Sequence, residues 1–170
     1  MNGITFVPST STTLDDKLLG DVYKVVSQSM RSNRYYYQPS AIEVALKAYE
    51  PNRFSEWSQP LLLSVIAYHG KKPVGTGFLK HRKFENVSTE TESGYLFGGF
   101  VDPQYQRQGI GKTIVQMLIE HARKTGIKVL RGNASEASLR LCQDLGFVEI
   151  NRYWDDALKA ELHEMELRLI

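Results

Sequence analysis

One stretch constrains the fold more than any other: Gly94 to Thr113, Gly-Tyr-Leu-Phe-Gly-Gly-Phe-Val-Asp-Pro-Gln-Tyr-Gln-Arg-Gln-Gly-Ile-Gly-Lys-Thr. It holds an apolar run suited to a strand, a turn marked by Pro103, a loop with two glycines, and the opening of a helix. The helix follows from spacing, because Ile110, Ile114, Met117, Leu118 and Ala122 recur at three- and four-residue intervals and make one face apolar. Gly109 and Gly111 stand at its start, where backbone without side chains can bring N–H groups close to a ligand. The positive end of the helix dipole lies at the same place, so the arrangement suits an anion, phosphate above all. Two commoner phosphate motifs fit only in part. The P-loop pattern Gly-x-x-x-x-Gly-Lys-Ser/Thr is met at Gly111-Lys112-Thr113 but has Gln106 in its first place. The dinucleotide pattern Gly-x-Gly-x-x-Gly is met at Gly109 and Gly111 but has Ile114 in its third. Taken alone, the loop fits a phosphate site and a plain strand-to-helix turn equally well.

The loop does not stand alone. Val101-Asp102-Pro103 followed by Tyr105-Gln106-Arg107-Gln108-Gly109-Ile110-Gly111 resembles the pyrophosphate-binding motif of the GNAT superfamily of acetyl-CoA-dependent N-acetyltransferases. A second element, Ser138-Leu139-Arg140-Leu141-Cys142-Gln143-Asp144-Leu145-Gly146-Phe147, resembles the short family helix that ends in Leu-Gly-Phe, with Cys142 where the family usually has Tyr. The resemblance covers about Gly94 to Phe147. It implies one GNAT domain over 1–170, of α/β (α+β) class, with a mixed, mostly antiparallel central sheet of about seven strands and helices on both faces.

Composition agrees with a single globular domain: 170 residues, 42% of them apolar, can bury a sizeable core. Lys plus Arg number 21 against 19 Asp plus Glu, a net charge of +2, which gives no reason to expect a nucleic-acid or polyanion binder. The single cysteine, Cys142, excludes an internal disulfide and a Cys-based zinc cluster. The start, Met-Asn-Gly-Ile-Thr-Phe-Val-Pro, has no signal-peptide pattern, and no apolar run reaches membrane-spanning length, so a cytoplasmic protein without membrane contact is expected.

In chain order, Ile4 to Val7 reads as a strand ended by Pro8, and the polar run Ser9 to Thr13 as an N-cap supply. Leu14, Leu18, Val22, Val25, Val26 and Met30 mark an amphipathic helix ending near Ser32-Asn33. Arg34-Tyr35-Tyr36-Tyr37-Gln38-Pro39 suits a covering loop. Ser40-Ala41-Ile42-Glu43 has the form of a capping box for a second helix through about Tyr49, with Pro51 just past its end. Leu61–Tyr68 and Val74–Leu79 form a hairpin, and Lys83–Ser93 a polar loop with Glu85, Glu90 and Glu92. Gly98-Gly99 inside the central strand indicates a bulge or a close backbone approach. A helix from Gly109 to Thr125, a strand Ile127–Leu130, a short helix to Leu145, a strand Phe147–Tyr153 and a last strand marked by Leu162, Met165, Leu167 and Leu169 complete the order β-α-α-β-β-β-α-β-α-β-β.

By resemblance, Arg107, Gln108, Gly109, Ile110, Gly111 and Lys112 hold the pyrophosphate of acetyl-CoA, and Gly99, Phe100 and Val101 hold pantetheine, with the Val101 N–H polarising the thioester carbonyl as an oxyanion-hole donor does. Lys112 reads equally as a solvated lysine. Ser135 falls where the family often has a cofactor-contacting Asn, and a plain N-cap role serves it as well. Tyr35, Tyr36 and Tyr37 are acceptor-side candidates, with packing onto the sheet the commoner fate of such rings. Cys142 occupies the place of the thiolate-protonating Tyr, and a buried core cysteine is the alternative. The base is the difficulty. An ammonium near pKa 10.4 must lose a proton before attack, yet neither Tyr95–Val101 nor residues 129–131 hold an acid. Glu92 precedes the central strand and is a weak candidate, more ordinarily a solvated loop carboxylate; His81, His163 and a water chain are others. The leading expectation is transfer of an acetyl group from acetyl-CoA to a primary amine by direct attack in a ternary complex, without a metal. The acceptor is a small-molecule amine or a protein amino group, and a homodimer is left open. The alternatives are a catalytically silent acyl-CoA-binding or regulatory domain on the same fold, and a nucleotide-triphosphate binder using Gly111-Lys112-Thr113.

Overall fold

The computed structural model describes residues 3–33 and 37–170. The described strands are β1 (Ile4–Ser9), β2 (Leu61–His69), β3 (Lys72–His81), β4 (Ser93–Val101), β5 (Val129–Ala134), β6 (Val148–Asp155) and β7 (Ala160–Arg168). They form one seven-stranded sheet in the order β1-β2-β3-β4-β5-β7-β6. Every neighbouring pair is antiparallel except β4 and β5, which run parallel. Helices α1 (Asp16–Ser32), α2 (Pro39–Leu46) and α3 (Pro51–Ser58) cover one face; α4 (Ile110–Lys124) and α5 (Glu136–Asp144) cover the other. The expected class and sheet are therefore those observed.

Two cores follow from strand alternation. In β2, Leu63, Val65 and Ala67 point to the α4 side, while Leu61 and Ile66 point to the α1 side. The α4 core is aliphatic, centred on Leu79, Ile110, Ile114, Leu118 and Leu130. The α1 core joins Val22, Val26 and Met30 to the rings of Phe54 and Phe78. Helix α4 presses directly on β3. A Cβ at Gly77 would collide with Ile114 Cγ2, and one at Gly75 would lie 2.9 Å from Ile110 Cγ2. Two positions without side chains thus let the helix carrying the glycine loop seat closely on the sheet.

Four local expectations are corrected. Strand β1 runs through Pro8 to Ser9, with Pro8 opposite Val65; β1 is the sheet edge, where the missing N–H costs nothing. Helix α1 is capped not by the Ser9–Thr13 run but by Asp15, whose Oδ1 accepts the Leu18 N–H at 2.8 Å. The Ser40–Glu43 capping box does not form. Pro39 takes the first helical position after Gln38, and Glu43 instead pairs with Arg31 at 3.0 Å. Pro51 does not close a helix but opens α3, an extra element in the predicted order.

Gly77→Ala is expected to lower unfolding stability by about 1–3 kcal/mol through overpacking against Ile114. Urea denaturation checks this, and an unchanged midpoint would mean that α4 does not bear on β3 as described.

Candidate active site

Three elements converge at the end of β4. A Cβ placed on Gly111, in the first turn of α4, would sit 3.5 Å from both Val101 Cγ2 of β4 and Leu141 Cδ2 of α5. The structure therefore brings Val101, the glycine loop and the helix bearing Cys142 together.

The turn between β4 and α4 is pinned by polar contacts. Asp102 is 2% exposed. Its Oδ1 accepts the Gln104 N–H at 2.9 Å, its own N–H donates to Val74 O at 2.9 Å, and Lys72 Nζ stands 2.9 Å from Oδ2. That hydrogen bond raises the Lys72 pKa above its ordinary value. Gln106 Nε2 donates to Val101 O at 3.1 Å, which ties the loop back to the strand. Arg107 (φ 61°) and Gly109 (φ 83°) both adopt the left-handed conformation. Alternation of this kind turns successive N–H groups to one side and makes an anion-binding concavity. The first intrahelical bond of α4 runs from Thr113 N–H to Gly109 O at 2.9 Å. The N–H groups before it have no acceptor within the helix. No acidic residue lies in the first turn to compete for them, and Arg107 and Lys112 are exposed beside them.

Beside the loop, β4 leaves β5. The parallel pairs end at Leu96 and Gly132. Beyond them, β4 pairs only with β3, and Asn133 and Ala134 pair only with β7. A register shift lies in this half of β4, where Thr76 pairs with Phe100 and Phe78 with Phe97, so β4 carries one more residue than β3. Gly98 sits in the bulge at φ 62°, with a notional Cβ 2.5 Å from the Phe78 ring. Thr76 Oγ1 donates to Gly98 O at 2.8 Å and holds the bulge. Gly99 is exposed. At the last paired row, a Cβ on Gly132 would meet Leu96 O at 2.9 Å, so the strands touch there and then separate.

On the α1 side, aromatic rings wall this opening. Tyr49 packs edge-on to Phe100 at 5.6 Å and Trp57 at 5.7 Å, and Phe97 lies against Phe78 and Trp57. Tyr37 is 8% exposed, in the α1 core, and lines the same cleft as Ser135. Burial raises the Tyr37 pKa, and burial beside Tyr95 and Tyr37 raises that of Tyr49. Tyr37, Ser135, Glu136 and Trp154 line a cleft of about 230 Å³. Thus Tyr37 and Ser135 share one site, and Ser135 also serves as the N-cap of α5, its N–H donating to Ser138 Oγ at 3.1 Å. Tyr35 and Tyr36 lie outside the described residues.

The other candidates are more scattered. Glu92 is half exposed, 3.8 Å from His81 Nδ1 and 3.6 Å from Lys83 Nζ; it precedes β4, about 30 Å along the strand from Val101, and His81 ends β3 opposite Gly94, at the same far end. His163 is 1% exposed on the α4 face, its Nδ1 2.7 Å from Glu149 Oε2 and its Nε2 3.3 Å from Glu136 Oε2. Cys142 packs against the aliphatic core, and burial pushes its thiol up to about 11. Sequence reading missed Tyr49, Trp57 and Phe97, which reach the opening only through the extra helix α3 and the bulge. It also missed Asp102 as a pin; the Asp-Pro turn was the available signal. Among the described residues, no helix is long and apolar enough to cross a membrane, and no cluster of His, Cys, Asp or Glu could hold a metal ion.

A family model for the GNAT acetyltransferases matches residues 28–147, and the chain belongs to that family. It is 42% identical over 73 residues to the ribosomal protein bS18-alanine N-acetyltransferase of Escherichia coli K12. That match takes in 41% of this chain and 49% of the relative, so the chain spans about half the length of the curated proteins it matches. Among solved structures, it superposes on a GCN5-related N-acetyltransferase from Rhodopseudomonas palustris with TM-score 0.75 and 17% identity, over 99% of this chain and 98% of the other. It also superposes on the PaiA N-acetyltransferase of Thermoplasma acidophilum in complex with coenzyme A, with TM-score 0.71 and 17% identity, over 97% and 99%.

The Cys142 thiol gives a pH test. In the unfolded chain it ionises near its ordinary value of 9.0, and in the folded chain at about 11. The folded state therefore holds the proton longer. The stability this represents is intact below pH 9 and is lost as pH rises from 9 to 11, on the order of 3 kcal/mol. Unfolding of Cys142→Ala should lack that alkaline step; parallel curves for variant and wild type between pH 8 and 11 would refute the burial described.

Proposed function

We propose that the protein transfers an acetyl group from acetyl-CoA to a primary amine. The observation that carries this reading is the meeting of the glycine loop with the opening between β4 and β5. Pyrophosphate suits the free N–H groups at the start of α4, with Arg107 and Lys112 adding positive charge. Pantetheine suits the gap past Leu96, where the backbone of Gly99, Phe100 and Val101 has no partner in β5. The amide N–H of Val101, at the end of that gap, serves as donor to the thioester carbonyl. Acetyl-CoA supplies the activated acyl group; the chain binds, aligns and desolvates it.

The acceptor approaches from the α1 face, through the ring-lined opening and the cleft of Tyr37 and Ser135. Its nitrogen then meets the acyl carbon on the side opposite the aliphatic core. The departing sulfur is the group that needs a proton; burial holds the Cys142 thiol at about 11, which makes it a weaker acid than the thiol being released, so the proton shed by the attacking nitrogen, carried by water, suits the sulfur better. Ser135 closes the bottom of the cleft against Tyr37. Because the curated relatives are named as N-acetyltransferases of an alanine in ribosomal protein bS18, a protein amino group is the first acceptor class to test.

Two measurements test the proposal. Acetyl-CoA offered with a panel of alanine-initiated peptides, lysine peptides, polyamines and aminoglycosides should release free CoA thiol with at least one of them. CoA binding without any turnover would reduce the protein to an acyl-CoA-binding domain. For the loop, Gly111→Val should weaken CoA binding at least tenfold by calorimetry, with helix content by circular dichroism retained. A folded Gly111→Val variant with undiminished CoA affinity would remove the glycine loop from the site.

A further inference from the structure

We propose that Glu164 receives the acceptor's proton and anchors its ammonium before attack. This inference rests on the acetyltransferase reading above. Glu164 lies in β7, opposite Asn133 of β5. That row is the first beyond Gly132, where β4 has already parted from β5. Its strand is thus the second from β4, at least about 10 Å from the open edge of β4, which has parted from β5 at this row. An amine seated over Asn133 would lie between the two.

The charge balance on this face singles Glu164 out. Arg131 is 5% exposed and gives Nε and Nη2 to Glu166 Oε2 at 2.9 and 2.7 Å. Arg168 Nε takes the other Glu166 oxygen at 2.9 Å. Glu166 is therefore fully engaged. Glu164 has only the remaining guanidinium nitrogen, Arg131 Nη1, at 3.6 Å. Among the described residues it makes no hydrogen bond, and its side chain is 28% exposed. It is a carboxylate held by one loose ion pair and open on one side.

The other titratable groups facing the opening cannot take the role. Tyr95 of β4 is held above its ordinary pKa by burial, with the Glu164 charge adding to the effect and Arg82 opposing it. Tyr153 of β6 is likewise raised, by burial first and then by Tyr95, Asp155 and Glu164. Tyr37 and Tyr49 on the helix side are raised as well. All four phenols stay protonated near neutral pH and act as donors. Asn133 Nδ2 donates to Tyr153 Oη at 2.7 Å, which leaves the Tyr153 proton free to point elsewhere. Asp155 is spent on the β6–β7 turn, its Oδ1 accepting the Leu158 N–H at 2.8 Å. His163 is on the opposite face.

The step balances as follows. A proton leaves the ammonium for a Glu164 oxygen, directly or through one water. The freed lone pair forms the N–C bond to the acetyl carbon, and the C–S bond breaks with its electrons on sulfur. A second nitrogen proton leaves and sulfur gains one, giving the amide and the CoA thiol; Glu164 returns its proton to water.

The test is Glu164→Gln, which keeps the side-chain shape. The acceptor is an alanine-initiated peptide or, if wild type does not turn that over, the panel amine that it does. At pH 7 kcat/KM should fall roughly hundredfold or more. The deficit should shrink as pH climbs past the amine's own pKa, about 8 for an α-amino group, because the amine then arrives neutral. CoA affinity by calorimetry and the circular dichroism spectrum should match wild type. A variant with wild-type kcat/KM, or with a deficit constant from pH 6.5 to 10, overturns the proposal. Wild type that acetylates no amine overturns the acetyltransferase reading itself, and this inference with it.

Discussion

Everything in the site depends on β4 having one partner instead of two over its second half. A parallel pair normally continues as long as both strands do, because each unpaired buried N–H or C=O carries a desolvation cost. Here the pairing stops at Leu96 and Gly132 while both strands go on. Two devices make the parting tolerable. The Gly98 bulge gives β4 an extra residue, and its twist turns the strand away from β5. Strand β5 is not left bare, because β7 continues to pair with Asn133 and Ala134. The result is a row of backbone groups on β4 that only a ligand or water can satisfy.

That row is useful only if the glycine loop is rigid with respect to it. The loop is short of hydrophobic anchors of its own, so its position is set at both ends. At one end Asp102 binds Lys72, the Gln104 N–H and the Val74 carbonyl. At the other, Ile110 and Ile114 sink against β3 where Gly75 and Gly77 leave room. Buried Asp102 is a charge that the fold accepts because each of its oxygens is met. A phosphate site built from N–H groups needs such fixed geometry, since its strength comes from dipoles already aligned before binding.

The glycine loop, the α4 periodicity and the central bulge were legible in the sequence because each is a local signal: spacing, a 3.6-residue repeat, paired glycines. The α1 side was less legible. Pro51 looks like a terminator and acts as the first residue of α3, since proline fits the first turn of a helix as well as the segment after one. With α3 unseen, Trp57 and Phe54 had no reason to lie near Phe97. Glu164 carried no local signal at all. Its neighbours Arg131, Asn133 and Tyr153 come from other strands, and a one-residue slip in the β5–β7 register would turn it to the opposite face. Glu92, by contrast, is near the central strand in sequence and remote from Val101 in space, because strand β4 runs its whole length between them.

The two faces of the sheet divide the work in a way their chemistry explains. The α4 face is aliphatic and closely interlocked, which suits holding one invariant ligand in one place. The α1 face is ringed by Tyr37, Tyr49, Tyr95, Phe97, Phe100 and Trp57, with Arg131 and Glu166 neutralising one another beneath. A buried ion pair of this kind contributes little to stability, and removing either member would leave an uncompensated charge. Its value here is electrostatic. With Glu166 taken up by Arg131 and Arg168, the Glu164 carboxylate keeps only the loose contact with Arg131 Nη1 and is the more available acid on this face.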